Sequence, residues 1–279
     1  MLIRPAKDFP LDNLRQLANP PHVAFTHLDW VPPEDRLHHQ NTFALEDENT
    51  LKALINVAPE NNSFAWLRFF YSVQNAKHQQ YFQALLSKGK DWLVKNNIHD
   101  LYCLTQHSWF ENLLMQNGFE LNNRIITLTT SDPIHHRTTP NPIFPSPIAP
   151  EDYFKIAELD AQCFQAPWQL NYPSMIYCAK TSAYATGIYI EGEPVAYQIS
   201  HVLFDFVHLG RLAVHPGHRG KGYAQLLFSD LIDHFSMLGE YIFSVNTQQD
   251  NHGSILLYNS LGFKNQDQSM PVYKLSMPE

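Results

Sequence analysis

Six of the chain's 19 prolines fall between Pro133 and Pro150, in the run SDPIHHRTTPNPIFPSPIAP. Proline fixes φ and lacks an amide donor, so this stretch can be neither helix interior nor central strand. It reads as an extended linker that splits the 279 residues into two segments, each long enough to bury its own core. The expected organisation is a first domain over 1–130, a linker over 131–145 and a second domain over 146–279.

Glycine is shared unequally between the two. Of 11 glycines, nine lie between Gly187 and Gly262, and only Gly89 and Gly118 come earlier. Glycine lets backbone turn through positive φ or approach a ligand closely, so an unusual backbone site is expected in the second domain.

Charge narrows the partners. Residues 1–130 hold 11 basic and 13 acidic side chains, and residues 146–279 hold 7 and 13. A second domain near −6 repels a phosphate backbone, which argues against nucleic acid and for an amine-bearing small molecule or peptide. Cys103, Cys163 and Cys178 show neither a CxxC pair nor metal-ligand spacing, so no disulfide framework and no metal site are expected. The opening MLIRPAKDFPLDNL has no apolar signal core, and no run approaches the ~18 apolar residues of a membrane span. A cytoplasmic protein without membrane contact is the expectation.

Periodicity and turn residues predict alternating strands and helices in both halves. In the first, strands are expected at Phe64–Tyr71, Ile98–Leu104 and Arg124–Thr129, with helices at Gln79–Lys95 and Trp109–Gln116. In the second, a helix starts after Pro150 with Tyr153, Ile156, Ala157 and Leu159 as its apolar stripe. Strands follow at Tyr184–Ile190, Val195–Leu203 and Val207–Val214, then a helix over Gly222–Leu238. A strand at Tyr241–Val245, a helix at Ser254–Ser260 and a strand at Pro271–Met277 complete the pattern. Phe70 to Gly118 and Val214 to Gly262 enclose the same strand, helix, strand, helix order, so a shift of 144 residues superposes the halves and suggests duplication.

The segment Leu212-Ala213-Val214-His215-Pro216-Gly217-His218-Arg219-Gly220-Lys221-Gly222-Tyr223-Ala224 is the most informative. A strand ends at Val214, proline turns the chain, and Gly220 and Gly222 clear Cβ atoms from the start of a helix. Amides at a helix N-terminus converge on one point and carry the positive end of the dipole, an arrangement that receives anions. Arg219 and Lys221 add cations, and a pyrophosphate is the natural guest. The glycines match neither the dinucleotide-binding fingerprint nor the Walker loop.

Leu-Ala-Val-x-Pro-x-x-Arg-Gly-x-Gly-Tyr-Ala, followed about 30 residues on by Asn251-x-x-Ser254-x-x-Leu257-Tyr258-x-x-Leu261-Gly262-Phe263, resembles the GNAT superfamily of acetyl-CoA-dependent N-acetyltransferases. The resemblance covers roughly residues 146–279. It implies an α/β (α+β) fold of two tandem GNAT-like domains, each a mixed, mostly antiparallel sheet flanked by helices. It also implies acetyl-CoA as co-substrate, its pyrophosphate on Arg219, Gly220, Lys221, Gly222, Tyr223 and Ala224. The pantetheine arm would lie along Leu212, Ala213 and Val214. Asn251 would hydrogen-bond that arm, and Tyr258 would protonate the leaving thiolate.

Acyl transfer from a thioester to an amine passes through an oxyanion that a strand amide can stabilise, and it needs an acid for the thiolate and a route for the amine proton. The stretch Cys163-Phe164-Gln165-Ala166-Pro167-Trp168 resembles the ribosomal-protein alanine acetyltransferases, in which a Glu five residues before the motif Asn is the base. Here that position is Asn246, which cannot serve. His208 is the preferred candidate base, on its reference pKa of about 6.5, with Asp205 as the alternative. His215 and His218 flank the phosphate loop, and Trp168 is a candidate wall of the acceptor site.

In the first half the 144-residue shift puts Asn75, Ala76 and His78 where the second has Arg219, Gly220 and Gly222, and His107 and Leu114 for Asn251 and Tyr258. Ser72–Tyr81 contains no glycine and Leu114 has no proton to give, so the first half reads as a degenerate GNAT-like domain. The expected function is transfer of an acetyl group to a primary amine. A catalytically silent CoA-binding module and an enzyme resembling mycothiol synthase are the alternatives.

Overall fold

The computed structural model describes residues 1–19, 23–28, 30–73, 77–134, 143–239 and 241–278. In chain order the elements are β1 (Leu2–Pro5), α1 (Leu11–Ala18), β2 (Val23–Thr26), α2 (Pro33–Arg36), β3 (Thr42–Asp47), β4 (Thr50–Pro59), β5 (Phe64–Ser72), α3 (His78–Lys95), β6 (Asp100–Leu104) and α4 (Ser108–Gln116). They continue with β7 (Glu120–Thr130), β8 (Ser146–Pro147), α5 (Tyr153–Cys163), α6 (Tyr172–Thr181), β9 (Tyr184–Ile190), β10 (Glu193–Leu203) and β11 (Phe206–Val214). The last are α7 (Tyr223–Ser236), β12 (Ile242–Gln248), α8 (His252–Ser260) and β13 (Lys264–Ser276).

These elements form two compact units that are not consecutive halves: 1–123 with 270–279, and 124–269. The limits depart from 1–130 and 146–279 because of strand pairing. Val272–Ser276 of β13 pair antiparallel with β6, which places the C-terminal residues in unit 1. Ile125–Thr130 of β7 pair antiparallel with β12, which places them in unit 2. Of the linker expected over 131–145, residues 135–142 lie outside the described residues.

Unit 1 has the strand order β1-β3-β4-β5-β6-β13, with β2 on β5, and unit 2 the order β8-β9-β10-β11-β12-β7. Neighbours within each unit are antiparallel except β5 with β6 and β11 with β12, which are parallel. The expected mixed, mostly antiparallel sheet with flanking helices is present.

Helices pack on the sheets, so central strands are buried over much of their length. All nine residues of β5 are buried. On α7, Tyr223, Leu227, Phe228, Leu231, Ile232 and Phe235 form the buried stripe, at the three- and four-residue spacing of a helix face. Phe228, Leu231, Ile232 and Phe235 meet Val207, Leu209, Phe243 and Val245 of the sheet, and Tyr223 and Leu227 meet Ile188, Val195 and Ala196. Each such side chain contributes about 1.5–3 kcal/mol on burial.

The units repeat one another with a sliding register. Phe64 and Phe206 open β5 and β11, and Asp100 and Ile242 open β6 and β12, each pair 142 residues apart. Ser108 and His252 open α4 and α8, 144 apart. The 144-residue match of Val214 with Phe70 is therefore displaced by two: Val214 corresponds to Ser72, the last residue of its strand. Both strands also carry a bulge at the same place. Asn56 and Val57 face Phe69 and Leu67, leaving Arg68 as the extra residue of β5. Ile199 and Ser200 face Arg211 and Leu209, leaving Gly210 as the extra residue of β11.

Candidate active site

The parallel pairing of β11 with β12 runs from Phe206–Ile242 to Leu209–Val245 and stops. Gly210, the bulged residue, follows at once. A bulge bends its strand, and here the two strands part. Beyond it, Arg211–Val214 stay paired with Ile199–Ala196 of β10, while β12 continues along β7. Among the described residues nothing pairs with the other edge of 211–214, so a slot with unpaired strand groups opens there.

The slot leads to the glycine turn. The His215 amide donates to the Val195 carbonyl at 2.8 Å, and Pro216–His218 make one 3₁₀ turn. His215 Nδ1 accepts the Gly217 amide at 3.1 Å, and Arg219 Nε donates back to the Val214 carbonyl at 3.2 Å. Gly220 and Gly222 have φ of +77° and +81°, a region that costs a residue with Cβ roughly 1–2 kcal/mol. The Gly222 carbonyl accepts the Leu226 amide, starting α7. The amides of Gly220, Lys221, Gly222 and Tyr223 find no acceptor among the described residues. Four donors at the N-terminus of a 14-residue helix, with Arg219 and Lys221 alongside, form an anion cradle. Tyr223 is buried against Leu227, Ile188 and Val195, which fixes the first turn, and Ala224 follows it on the helix. His215 and His218 line a cleft of about 260 Å³ with Lys155, Glu158 and Glu193.

Helix α8 supplies Tyr258. The ring packs edge-on to Phe263 at 5.6 Å, and its hydroxyl makes no hydrogen bond among the described residues. Burial pushes the phenol above its ordinary range, so Tyr258 stays protonated. Gly262 ends the helix at φ +89°, where a Cβ would lie 3.0 Å from the Asp132 carbonyl. Asn251 is the helix N-cap: its Oδ1 accepts the Ser254 amide at 3.2 Å and its Nδ2 donates to Gln248 Oε1 at 3.1 Å. The side chain expected to hold a cofactor arm is thus tied to its own helix start.

His208 sits at the point where the strands part, paired across to His201 and Ser244. Its Nδ1 lies 3.0 Å from Ser244 Oγ. Burial, with a smaller contribution from His201, lowers its pKa to about 4. The shift is away from the reference value on which His208 was expected to act as base, and it favours the neutral ring. Asp205 is exposed in the turn before β11, at the far end of that strand from the glycine loop. Asn246 faces Thr127, whose hydroxyl donates to its Oδ1 at 2.8 Å.

One cluster escaped the sequence reading. Asp160 on α5 is fully buried and accepts from Arg211 Nε at 2.9 Å, Arg211 Nη2 at 2.5 Å, Tyr197 Oη at 2.5 Å and the Leu170 amide at 2.9 Å. Arg211 also donates to the Trp168 carbonyl at 2.6 Å and lies 3.9 Å over the Phe164 ring. The strand residue just past the bulge thereby clamps the 164–170 loop, Trp168 included. The available signal was a carboxylate one residue after Leu159 in the α5 apolar stripe. In unit 1, Asn75 and Ala76 lie outside the described residues, His78 opens α3, His107 precedes α4 and Leu114 is buried in the core.

Residues 153–263 match the acetyltransferase (GNAT) family. A stretch of 50 residues is 42% identical to an L-methionine sulfoximine/L-methionine sulfone acetyltransferase of Salmonella typhimurium, covering 18% of this chain and 29% of that protein. Among solved structures, a GCN5-related N-acetyltransferase from Kribbella flavida superposes with a TM-score of 0.70 at 8% identity, over 98% of this chain and 70% of that one. A GNAT-family acetyltransferase from Colwellia psychrerythraea gives 0.57 at 14% identity over 100% of both chains. A tandem GNAT protein of the clavulanic acid biosynthesis pathway gives 0.57 at 12% identity, over 96% of this chain and 87% of that one. These structural likenesses establish the fold. The family match is confined to residues 153–263, less than half of the chain, and at these identities the structural likenesses speak for the fold alone.

Proposed function

We propose that unit 2 binds acetyl-CoA and transfers its acetyl group to a primary amine by direct attack. The observation that carries this reading is the junction of the open edge of Arg211–Val214 with the four acceptor-free amides at the start of α7. The fit is chemical. An extended arm with its own amides can pair along Leu212, Ala213 and Val214, and a pyrophosphate suits the Gly220–Tyr223 amides flanked by Arg219 and Lys221.

The thioester carbonyl then lies near the bulge, where a strand amide donates to the developing oxyanion. The amine nitrogen forms the new C–N bond, the C–S bond breaks, and the Tyr258 phenol protonates the departing thiolate. With His208 neutral and weakly basic, the amine's proton passes to water. Asn251 acts by holding α8, and with it Tyr258, in place.

The acceptor is proposed as a small molecule or peptide amine. The relative named for methionine sulfoximine makes an amino-acid α-amine the first to try. Thiol release from acetyl-CoA across a panel of amines, L-methionine sulfoximine included, tests the reading. Turnover on one of them, removed by Gly222→Glu, is expected; binding without turnover on any amine would instead favour a silent CoA-binding module.

A further inference from the structure

The two units differ most at the slot. In unit 1 the parallel pairing of β5 with β6 covers Phe64–Asp100 to Trp66–Tyr102 and ends, and the bulged Arg68 follows. At an interval of 142 these three pairs match the first three of unit 2, which adds Leu209–Val245 before its own bulge. The next residues of β5, Phe69–Ser72, correspond to Arg211–Val214. One of their edges is paired with Ala53–Asn56 of β4. The other, open in unit 2, is taken by β2: Thr26 pairs with Phe69, Phe25 with Phe70, Ala24 with Tyr71 and Val23 with Ser72, all antiparallel. The His27 amide extends the contact onto the bulge, donating to the Arg68 carbonyl at 2.7 Å.

Side chains seal the insertion. Phe25 is fully buried and stacks on Phe110 of α4 at 4.1 Å. It joins the core that contains Phe70, Phe82 and Leu114, the last being the residue at the Tyr258 position. The Thr26 hydroxyl lies 3.0 Å from the Tyr71 hydroxyl.

We infer that β2 is a built-in occupant of the unit 1 slot, an extended segment of the chain bound where unit 2 holds the arm of its acyl donor. The comparison with unit 2 rests on the acetyl-CoA reading above; the occupancy of β5 by β2 does not. A strand edge bonded along four residues, with an aromatic ring filling the space beneath, leaves no donor or acceptor for an incoming ligand. Unit 1 is therefore closed to acyl-CoA by its own fold, and this chain takes up one acyl-CoA, in unit 2. The closure also explains how a domain without the glycine turn keeps a complete core: β2 supplies the backbone partners and apolar surface that a ligand would otherwise provide.

Hydrogen exchange on the full chain, read by mass spectrometry with and without CoA, tests this. In the free protein, residues 23–26 and 69–72 are expected to be protected and 211–214 to exchange faster. CoA is expected to slow 211–214 and leave 23–26 and 69–72 unchanged. Phe25→Ala is expected to speed exchange in 23–26 and 69–72 without altering the CoA response of unit 2. Fast exchange over 23–26 in the free wild-type chain, or slowing of 69–72 by CoA, would overturn the inference. If CoA leaves 211–214 unaffected while 23–26 are protected, the acetyl-CoA reading fails and the inference about β2 stands.

Discussion

Arg211 donates two hydrogen bonds to one oxygen of Asp160, from Nε at 2.9 Å and Nη2 at 2.5 Å, and so ties the strand just beyond the bulge to helix α5. Asp160 is fully buried and Arg211 nearly so. Removing one partner strands the other charge away from water. Asp160→Ala is expected to destabilise the protein by about 3–5 kcal/mol, read from the denaturant midpoint. Asp160→Ala combined with Arg211→Met is expected to recover part of that loss, because no charge is then left unpaired. Equal destabilisation by the single and double variants would contradict the pairing.

Tyr258→Phe removes a hydroxyl that bonds to nothing among the described residues. Stability is expected to change little, whereas kcat falls by about 10²–10⁴ with the affinity for acetyl-CoA retained. Because burial raises the phenol's pKa, the wild-type rate is expected to show no loss from Tyr258 ionisation up to the ordinary tyrosine range. An unchanged kcat in the variant would remove Tyr258 from the proposed chemistry.

His208 links stability to acid. Its pKa is about 4 in the fold against 6.5 for a free imidazole, so the unfolded chain takes up a proton first as pH falls. The associated stability is complete above pH 6.5 and is lost as pH drops towards 4, to a limit of about 3 kcal/mol. His208→Gln is expected to flatten that part of the stability curve while keeping the acetyltransfer rate at pH 7 within about tenfold. A larger rate loss at neutral pH would restore His208 as the base.

Much of the site was legible because it depends on local backbone. Gly220, Gly222 and Pro216 announce the turn whatever surrounds them, and Gly262 marks the end of α8, as its positive φ confirms. Most strands and helices from β5 onward fall within a few residues of their expected places. What depends on distant partners was not legible. β2 is four residues long and is a strand only because β5 offers an open edge. Asp160 became significant only once folding brought Arg211 and Tyr197, 51 and 37 residues away, onto one oxygen. The unit limits followed from the pairing of β13 with β6 and of β7 with β12, which a linear reading of the proline run could not foresee. The basicity of His208 likewise follows from burial, which its neighbours in sequence do not reveal.

The glycine turn carries the remaining prediction. Gly222→Ala is expected to cost about 1–2 kcal/mol of stability from its positive φ. Gly222→Glu adds a negative side chain at the anion cradle.

Calorimetric titration of the full chain with acetyl-CoA decides whether the strand edge and glycine turn of unit 2 form a cofactor site. Saturation at one acetyl-CoA per chain is expected for the wild type, and no measurable binding for Gly222→Glu. Absence of binding to the wild type, or undiminished affinity in Gly222→Glu, would contradict the acetyl-CoA reading.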